Sequence, residues 1–290
     1  MVPMNRDFRY IDTHAHLNLS AFADDVDGVA RTCAEKDVAV INIGTKQSTS
    51  EKAVALATKH PNCYAIVGLH PIQIAPAYHD SDELGEGATP FQSHGEEFDK
   101  EVYRPLTAEK RVVAIGECGL DYYNTLPGSY EMQERNFITQ IELANEAGLP
   151  LMIHTRGPKP GEESPTGRSV YEDVYQILAA YAKVPFNVHF YAGTVAEAER
   201  LFSIGGTVSF TGVITFKTAT TYQAVVRAVP LENIHAETDC PYVAPVPHRG
   251  QRAEPWMVEE VYKKIAELKN LGVEAVREQL IQNAVRQYKL

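Results

Sequence analysis

The chain has 290 residues, 44% of them hydrophobic and 22% charged, enough for a sizeable core in a globular protein and suited to one large α/β domain. No apolar run approaches the ~20 residues that cross a membrane, and Met1 to Asp7 carry no apolar segment of a secretory signal. A net charge of −11 argues against general binding of duplex nucleic acid, although charges remote from a site are screened beyond ~8 Å.

Short apolar runs alternate with helical patterns along the whole chain. The runs predict strands near 9–14, 38–44, 63–69, 112–117, 149–154, 185–190, 206–210 and 233–238. Helical periodicity predicts helices near 21–36, 48–60, 96–110, 129–147, 168–183, 194–204 and 219–229, then two more over 254–287 broken at Gly272. Eight strands alternating with helices are the signature of a TIM-like (β/α)8 barrel, here read as one domain over 1–290. Segments 75–95 and 157–168 are rich in Pro, Gly and polar residues and follow strand ends, so they are expected as long loops above the active face. Cys33, Cys63, Cys118 and Cys240 are widely spaced, which favours reduced thiols in a cytoplasmic protein.

Metal-type side chains close five of these runs: His14 and His16, Glu117, His154, His189 and Asp239. In a parallel barrel those ends share one face, where the chemistry lies. Residues i and i+2 of a strand point the same way, so His14 and His16 can chelate one ion; a pair of loop histidines is the plainer reading of that spacing alone. Glu117 ends an apolar strand, where a carboxylate is costly unless paired or metal-bound. It could bridge two ions, or pair with a loop Arg or Lys. His154 and His189 singly suit a structural role; with Glu117 they complete a second ligand set, of a kind that fits Zn, Mn or related ions. Asp239 could ligate the first ion and take the proton of an attacking water, or cap the turn before Pro241. Two divalent ions against Glu117 and Asp239 would leave roughly +2 at the barrel mouth, enough to draw a phosphate.

His70 ends the third strand and could touch substrate or a leaving group; a structural role is as plausible. Asp12 faces the same way as His14 and could support it. Arg156 lies near the mouth. Arg249 and Arg252 follow the eighth strand and are the best candidate phosphate grip, with a solvated loop as the alternative. Tyr122, Tyr123, Phe190, Tyr191 and Tyr242 flank the ligand positions and could stack on a base or simply pack.

The strings Asp12-Thr13-His14-Ala15-His16, Gly116-Glu117-Cys118-Gly119-Leu120-Asp121-Tyr122, Ile153-His154-Thr155-Arg156 and Glu237-Thr238-Asp239-Cys240-Pro241-Tyr242, in this order, resemble the TatD-type metal-dependent deoxyribonucleases of the amidohydrolase superfamily. The resemblance implies His14, His16, Glu117 and Asp239 around one ion and Glu117, His154 and His189 around the other. It implies hydrolysis of phosphodiester bonds in DNA, often from the 3′ end, with single-stranded ends as the expected substrate and Mg, Mn or Zn as the ions; no obligate protein partner is evident in the sequence. Two strings depart from the family pattern. His189-Phe190-Tyr191-Ala192-Gly193 stands where the family usually has His-Cys-Phe-Ser-Gly, and Ala253-Glu254-Pro255 where it has Asn-Glu-Pro. Segments 75–95 and 157–168 are also longer than usual. A carboxyl ester, lactone, amide or aminoacyl-tRNA ester is the alternative substrate for the same residues. A non-catalytic metal-binding scaffold would need equal metal affinity without hydrolysis.

Overall fold

The computed structural model describes residues 8–79, 90–123, 126 and 128–290. The N-terminal stretch 1–7 and the middle of segment 75–95 lie outside these residues. Eight parallel strands run in the order β1 (Tyr10–Ala15), β2 (Val38–Ile43), β3 (Cys63–Val67), β6 (Val112–Asp121), β7 (Leu151–Arg156), β8 (Phe186–Val188), β9 (Gly206–Phe210) and β10 (Ile234–Ala236). A parallel bridge between Ala15 and Cys240 joins the last strand's extension to the first, giving a nearly closed barrel. Helices follow the strands: α1 (Val26–Glu35), α2 (Gln47–Lys59), α3 (Lys100–Thr107), α4 (Ser129–Ala147), α5 (Val170–Tyr181), α6 (Val195–Ser203) and α7 (Thr220–Ala228). The chain ends in α8 (Val258–Lys269) and α9 (Val273–Tyr288), parted at Asn270 and Gly272 as the sequence predicts.

The period-two alternation of each strand divides the core into two layers. Tyr10, Val40, Cys63, Ile115 and Val188 pack outward against helix residues such as Ala30, Phe137 and Ile265. Ile11, Ile41, Ile66, Ala114 and Met152 fill the barrel interior, and Ala284 and Tyr288 of α9 close it off. Burying each such aliphatic side chain is worth about 1.5–3 kcal/mol. Among the described residues no helix is long and apolar enough to cross a membrane.

Several boundaries differ from the sequence reading. The 21–36 region starts as a short 3-10 turn, Ser20–Phe22, before α1. Segment 75–95 contains a small antiparallel hairpin, β4 (Tyr78–His79) against β5 (Phe91–Gln92). Segment 157–168 has no strand or helix, yet it is tied down. Thr166 Oγ1 and Arg168 Nε donate to buried Asp173 of α5 at 2.5 and 2.6 Å, and Tyr122 Oη donates to the same carboxylate at 2.8 Å. β10 ends at Ala236, so Glu237, Thr238 and Asp239 leave the sheet.

The largest difference is β6, which continues four residues past Glu117. Its register against β7 slips between Ile115 and Cys118, with one extra residue on the β6 side. Such a bulge re-aims a side chain. Gly116 (φ 147°) and Gly119 (φ 142°) flank it. A Cβ on Gly116 would sit 2.4 Å from Met152 O, and one on Gly119 2.1 Å from His154 O. Only glycine lets β7 come this close.

Gly119→Ala is therefore expected to destabilise the protein by about 3 kcal/mol, read from the urea midpoint. Gly28→Ala is the control: it lies in α1, with only Arg31 within 4.0 Å of its Cβ. It should be neutral or stabilise by up to about 1 kcal/mol. Equal effects would mean that the β6–β7 approach is not tight.

Candidate metal centre

Glu117 is 3% exposed and sits at the centre of the barrel mouth. Its two oxygens face different groups. Oε2 lies 3.4 Å from His14 Nε2 and 3.8 Å from His16 Nε2. Oε1 lies 2.7 Å from His189 Nε2, 3.0 Å from His154 Nδ1 and 3.2 Å from His70 Nε2. Asp239 completes the first group, with Oδ1 3.6 Å from His14 Nε2 and 3.4 Å from His16 Nε2. All six residues read from the sequence as ligands thus converge, although only His14, Glu117 and His154 lie within strands.

Backbone contacts place these side chains. His16 N donates to Cys240 O at 3.0 Å and Asp239 N to His14 O at 2.9 Å, linking the first strand to the extension of the last. Asp12 accepts from His14 N, from Thr238 N and, at 2.5 Å, from Thr238 Oγ1. It thereby fixes the turn in which Asp239 adopts φ 57°. Asp12 therefore acts on the backbone around the ligands; burial pushes its carboxyl well above the usual range.

The donor chemistry fits divalent ions. Ligand atoms of His14, His16 and Glu117 lie within 4.8 Å of one another, as do those of His14, His189 and Asp239, and of His70, Glu117 and His154. Four imidazoles and two carboxylates in a buried mouth are a borderline-soft, open-coordination set. Burial opposes the charge on Glu117, but the imidazoles of His189, His70 and His14 hold its carboxyl well below the usual range. Burial and its neighbour His189 drive His14 down to about 3, so this imidazole is neutral and free to ligate.

Two residues not singled out in the sequence complete the centre. Asp121 Oδ2 lies 2.9 Å from His154 Nε2, behind the nitrogen that faces Glu117. The apolar run that marks the strand in the sequence stops at Glu117 and so leaves Asp121 outside it; as residue i+4 Asp121 falls on the same face. Glu237 is fully buried, with Oε1 3.6 Å from His189 Nδ1. Its Oε1 accepts from Phe190 N at 2.7 Å and its Oε2 from Ser209 Oγ at 2.6 Å. A carboxylate two residues before Asp239 in an apolar run was the available signal. On the β7–β8 side His154 is thus hydrogen-bonded to a carboxylate, while His189 faces one at 3.6 Å, beyond hydrogen-bond range. His16 Nδ1 lies 3.1 Å from Ile43 O, and neither His14 Nδ1 nor His189 Nδ1 has a hydrogen-bond partner.

His70 has a different role. Its Nδ1 accepts from Ile72 N at 3.1 Å, so the neutral ring carries its hydrogen on Nε2 and presents a donor to the centre. The centre opens into a cleft of about 970 Å³, whose walls include Lys46, Lys52, Arg156, Phe190, Tyr222 and Tyr242. The Arg156 guanidinium stacks 3.7 Å over the Tyr123 ring. The other two arginines do not line the cleft. Arg252 donates to Asp25, Glu254 and Ala21 O, and clamps the chain after β10 to the start of α1. Arg249 is exposed and stacks 4.1 Å over Phe216. The sequence could not show this, because both arginines are close to the site along the chain, while Asp25 and Ala21, which hold Arg252, come from its far end.

A family model described as TatD related DNase matches residues 11–289. The chain belongs to this family. It is 32% identical to the uncharacterized metal-dependent hydrolase YabD of Bacillus subtilis, over 96% of this chain and 98% of that protein. It is 31% identical to the uncharacterized metal-dependent hydrolase TatD of Mycobacterium tuberculosis, over 97% and 98%. In fold it is similar to YjjV, a TatD homolog of Escherichia coli K12, with a TM-score of 0.78 at 24% identity over 97% of this chain and 98% of that one. This TatD-family chain is therefore a metal-dependent hydrolase, and the convergent His, Glu and Asp side chains are its candidate metal ligands.

Two measurements follow for the TatD-family centre. Asp121→Asn and Glu237→Gln should each weaken metal binding roughly ten- to hundred-fold by competition with a chromogenic chelator; unchanged affinity in both would leave them no role behind the imidazoles. The second is pH. Despite burial, which works against it, Glu117 and Glu237 hold His189 protonated well above the ordinary histidine range. A raised imidazole stabilises the metal-free fold fully below about 6.5 and loses that contribution as pH climbs through its folded value. Metal binding needs neutral imidazoles and strengthens with pH. From pH 7 to 9 the Tm of chelated protein should fall, while the Tm increment given by Zn or Mn should widen. A shrinking increment would contradict this ligand set.

Proposed function

We propose that this TatD-family hydrolase cleaves phosphodiester bonds of DNA, from the 3′ ends of single strands, with two divalent ions (Mg, Mn or Zn) sharing Glu117. The observation that carries the reading is the division of Glu117, one oxygen toward His14, His16 and Asp239 and the other toward His154 and His189. When bound, ions there would supply Lewis acidity at the phosphoryl oxygens and make a water more acidic.

The chain's own groups supply the rest. Asp239 Oδ1 faces His14 and His16, within reach of a water in that half, and serves as proton acceptor. His70 Nε2–H is aimed at the centre and suits a phosphoryl or leaving oxygen. Lys46, Lys52 and Arg156 give the cleft local positive charge against the acidic exterior, to track a short stretch of backbone phosphate. The four cysteines are buried and unpaired, which supports a reducing, cytoplasmic setting.

One observation favours the second reading, hydrolysis of a carboxyl ester, lactone, amide or aminoacyl-tRNA ester. Arg249 and Arg252, the expected phosphate grip, lie away from the cleft lining.

The test is an end-labelled single-stranded oligonucleotide with Mg, Mn or Zn. Stepwise shortening from the 3′ end, abolished by chelator and slowed at least a thousand-fold in Asp239→Ala, is expected. His70→Gln should lower kcat about ten- to hundred-fold with a smaller change in KM. No cleavage with any ion, together with turnover of aryl esters or lactones, would establish the second reading instead.

A further inference from the structure

Phe190 directly follows His189 and is the first of three residues, with Tyr191 and Ala192, at which the sequence departs from the family's His-Cys-Phe-Ser-Gly string. Its backbone sits at φ 45°, a left-handed conformation that bulky residues rarely adopt. Two contacts hold it there. Phe190 N donates to buried Glu237 Oε1 at 2.7 Å, and Tyr191 N donates to Ser209 O at 2.9 Å.

This turn sends two adjacent aromatics to opposite places. Tyr191 is 1% exposed, with its ring 5.0 Å from that of Tyr171 and 6.3 Å from that of Phe210. Phe190 is only half-buried and lines the cleft. Its ring meets His189 edge-on, with centroids 6.4 Å apart and planes at 89°. On the other side of the centre, Tyr242 stands in a similar relation to His16, at 6.3 Å and 65°. Core packing accounts for Tyr191. It does not account for an apolar ring kept in the cleft beside a candidate ligand by a turn that resists it. Backbone conformations of this kind persist where the surroundings enforce them, and they cluster at ligand contacts.

We propose that Phe190 is a stacking platform for the nucleobase of the nucleotide whose phosphate occupies the centre. The proposal rests on the phosphodiesterase reading and adds a base subsite to it. A ring face accepts every base, so recognition is sequence-tolerant, and the larger overlap of purines favours them. Glu237 contributes by holding the turn through Phe190 N, while its other contacts lie behind His189.

The test is binding of 2′-deoxyadenosine 5′-monophosphate and of 2-deoxyribose 5-phosphate to the metal-loaded protein, by calorimetry. Wild type should bind the nucleotide roughly ten-fold more tightly than the sugar phosphate. Phe190→Ala should erase that difference mainly by weakening the nucleotide, and Phe190→Trp should restore or enlarge it. Metal stoichiometry reports whether each variant has kept the centre. If Phe190→Ala loses metal, Phe190→Leu, which keeps the bulk without the ring, takes its place. Equal weakening of both ligands, or no weakening of either, would overturn the platform. Wild type that binds neither ligand would overturn the phosphodiesterase reading beneath it.

Discussion

A buried carboxylate at the mouth of a barrel is the constraint around which this site is arranged. Glu117 cannot be charged and nearly inaccessible unless positive charge or hydrogen-bond donors surround it. The chain answers with imidazoles from β1, β7 and the segments after β1, β3 and β8, all within 4 Å of its oxygens. The register slip in β6 and the two glycines beside it serve this placement. Any residue other than glycine at 119 would place a Cβ where the His154 carbonyl already stands.

The two halves around Glu117 differ in what lies behind their imidazoles. His154 is hydrogen-bonded to Asp121 and His189 lies 3.6 Å from Glu237, whereas His16 is backed by a carbonyl; His14 and His189 make no hydrogen bond at Nδ1. A carboxylate behind an imidazole fixes its tautomer and strengthens it as a ligand. In the two-ion reading, the Glu117–His154–His189 half would hold its ion more firmly. The half carrying Asp239, the proposed proton acceptor, would exchange more readily.

Much of this was legible from the chain. Period-two runs ending in His, Glu or Asp showed both the barrel and the face that carries the centre. What stayed hidden has physical causes. Alternation does not foresee a bulge, and the apolar run stops four residues before β6 does, which hides Asp121. Glu237 reads as one more residue of a short strand until the chain beyond it is seen to leave the sheet at φ 57°. Arg252 stands close to Asp239 in sequence, but one of its two carboxylate partners, Asp25, comes from the other end of the chain. Sequence distance carries no information about that competition.

The barrel closes where its first and last strands meet, and the centre straddles that seam. His14 and His16 come from one side and Asp239 from the other, joined by the Ala15–Cys240 bridge and by Arg252 on Asp25. An ion shared by these three side chains would act as a clasp across nearly the whole length of the polypeptide. Such a clasp removes more freedom from the unfolded chain than any local contact, in the way a long-loop cross-link does. The opposite half draws on neighbouring strands and can assemble before the ring is complete. Occupancy of the seam would then mark a chain whose two ends have found each other.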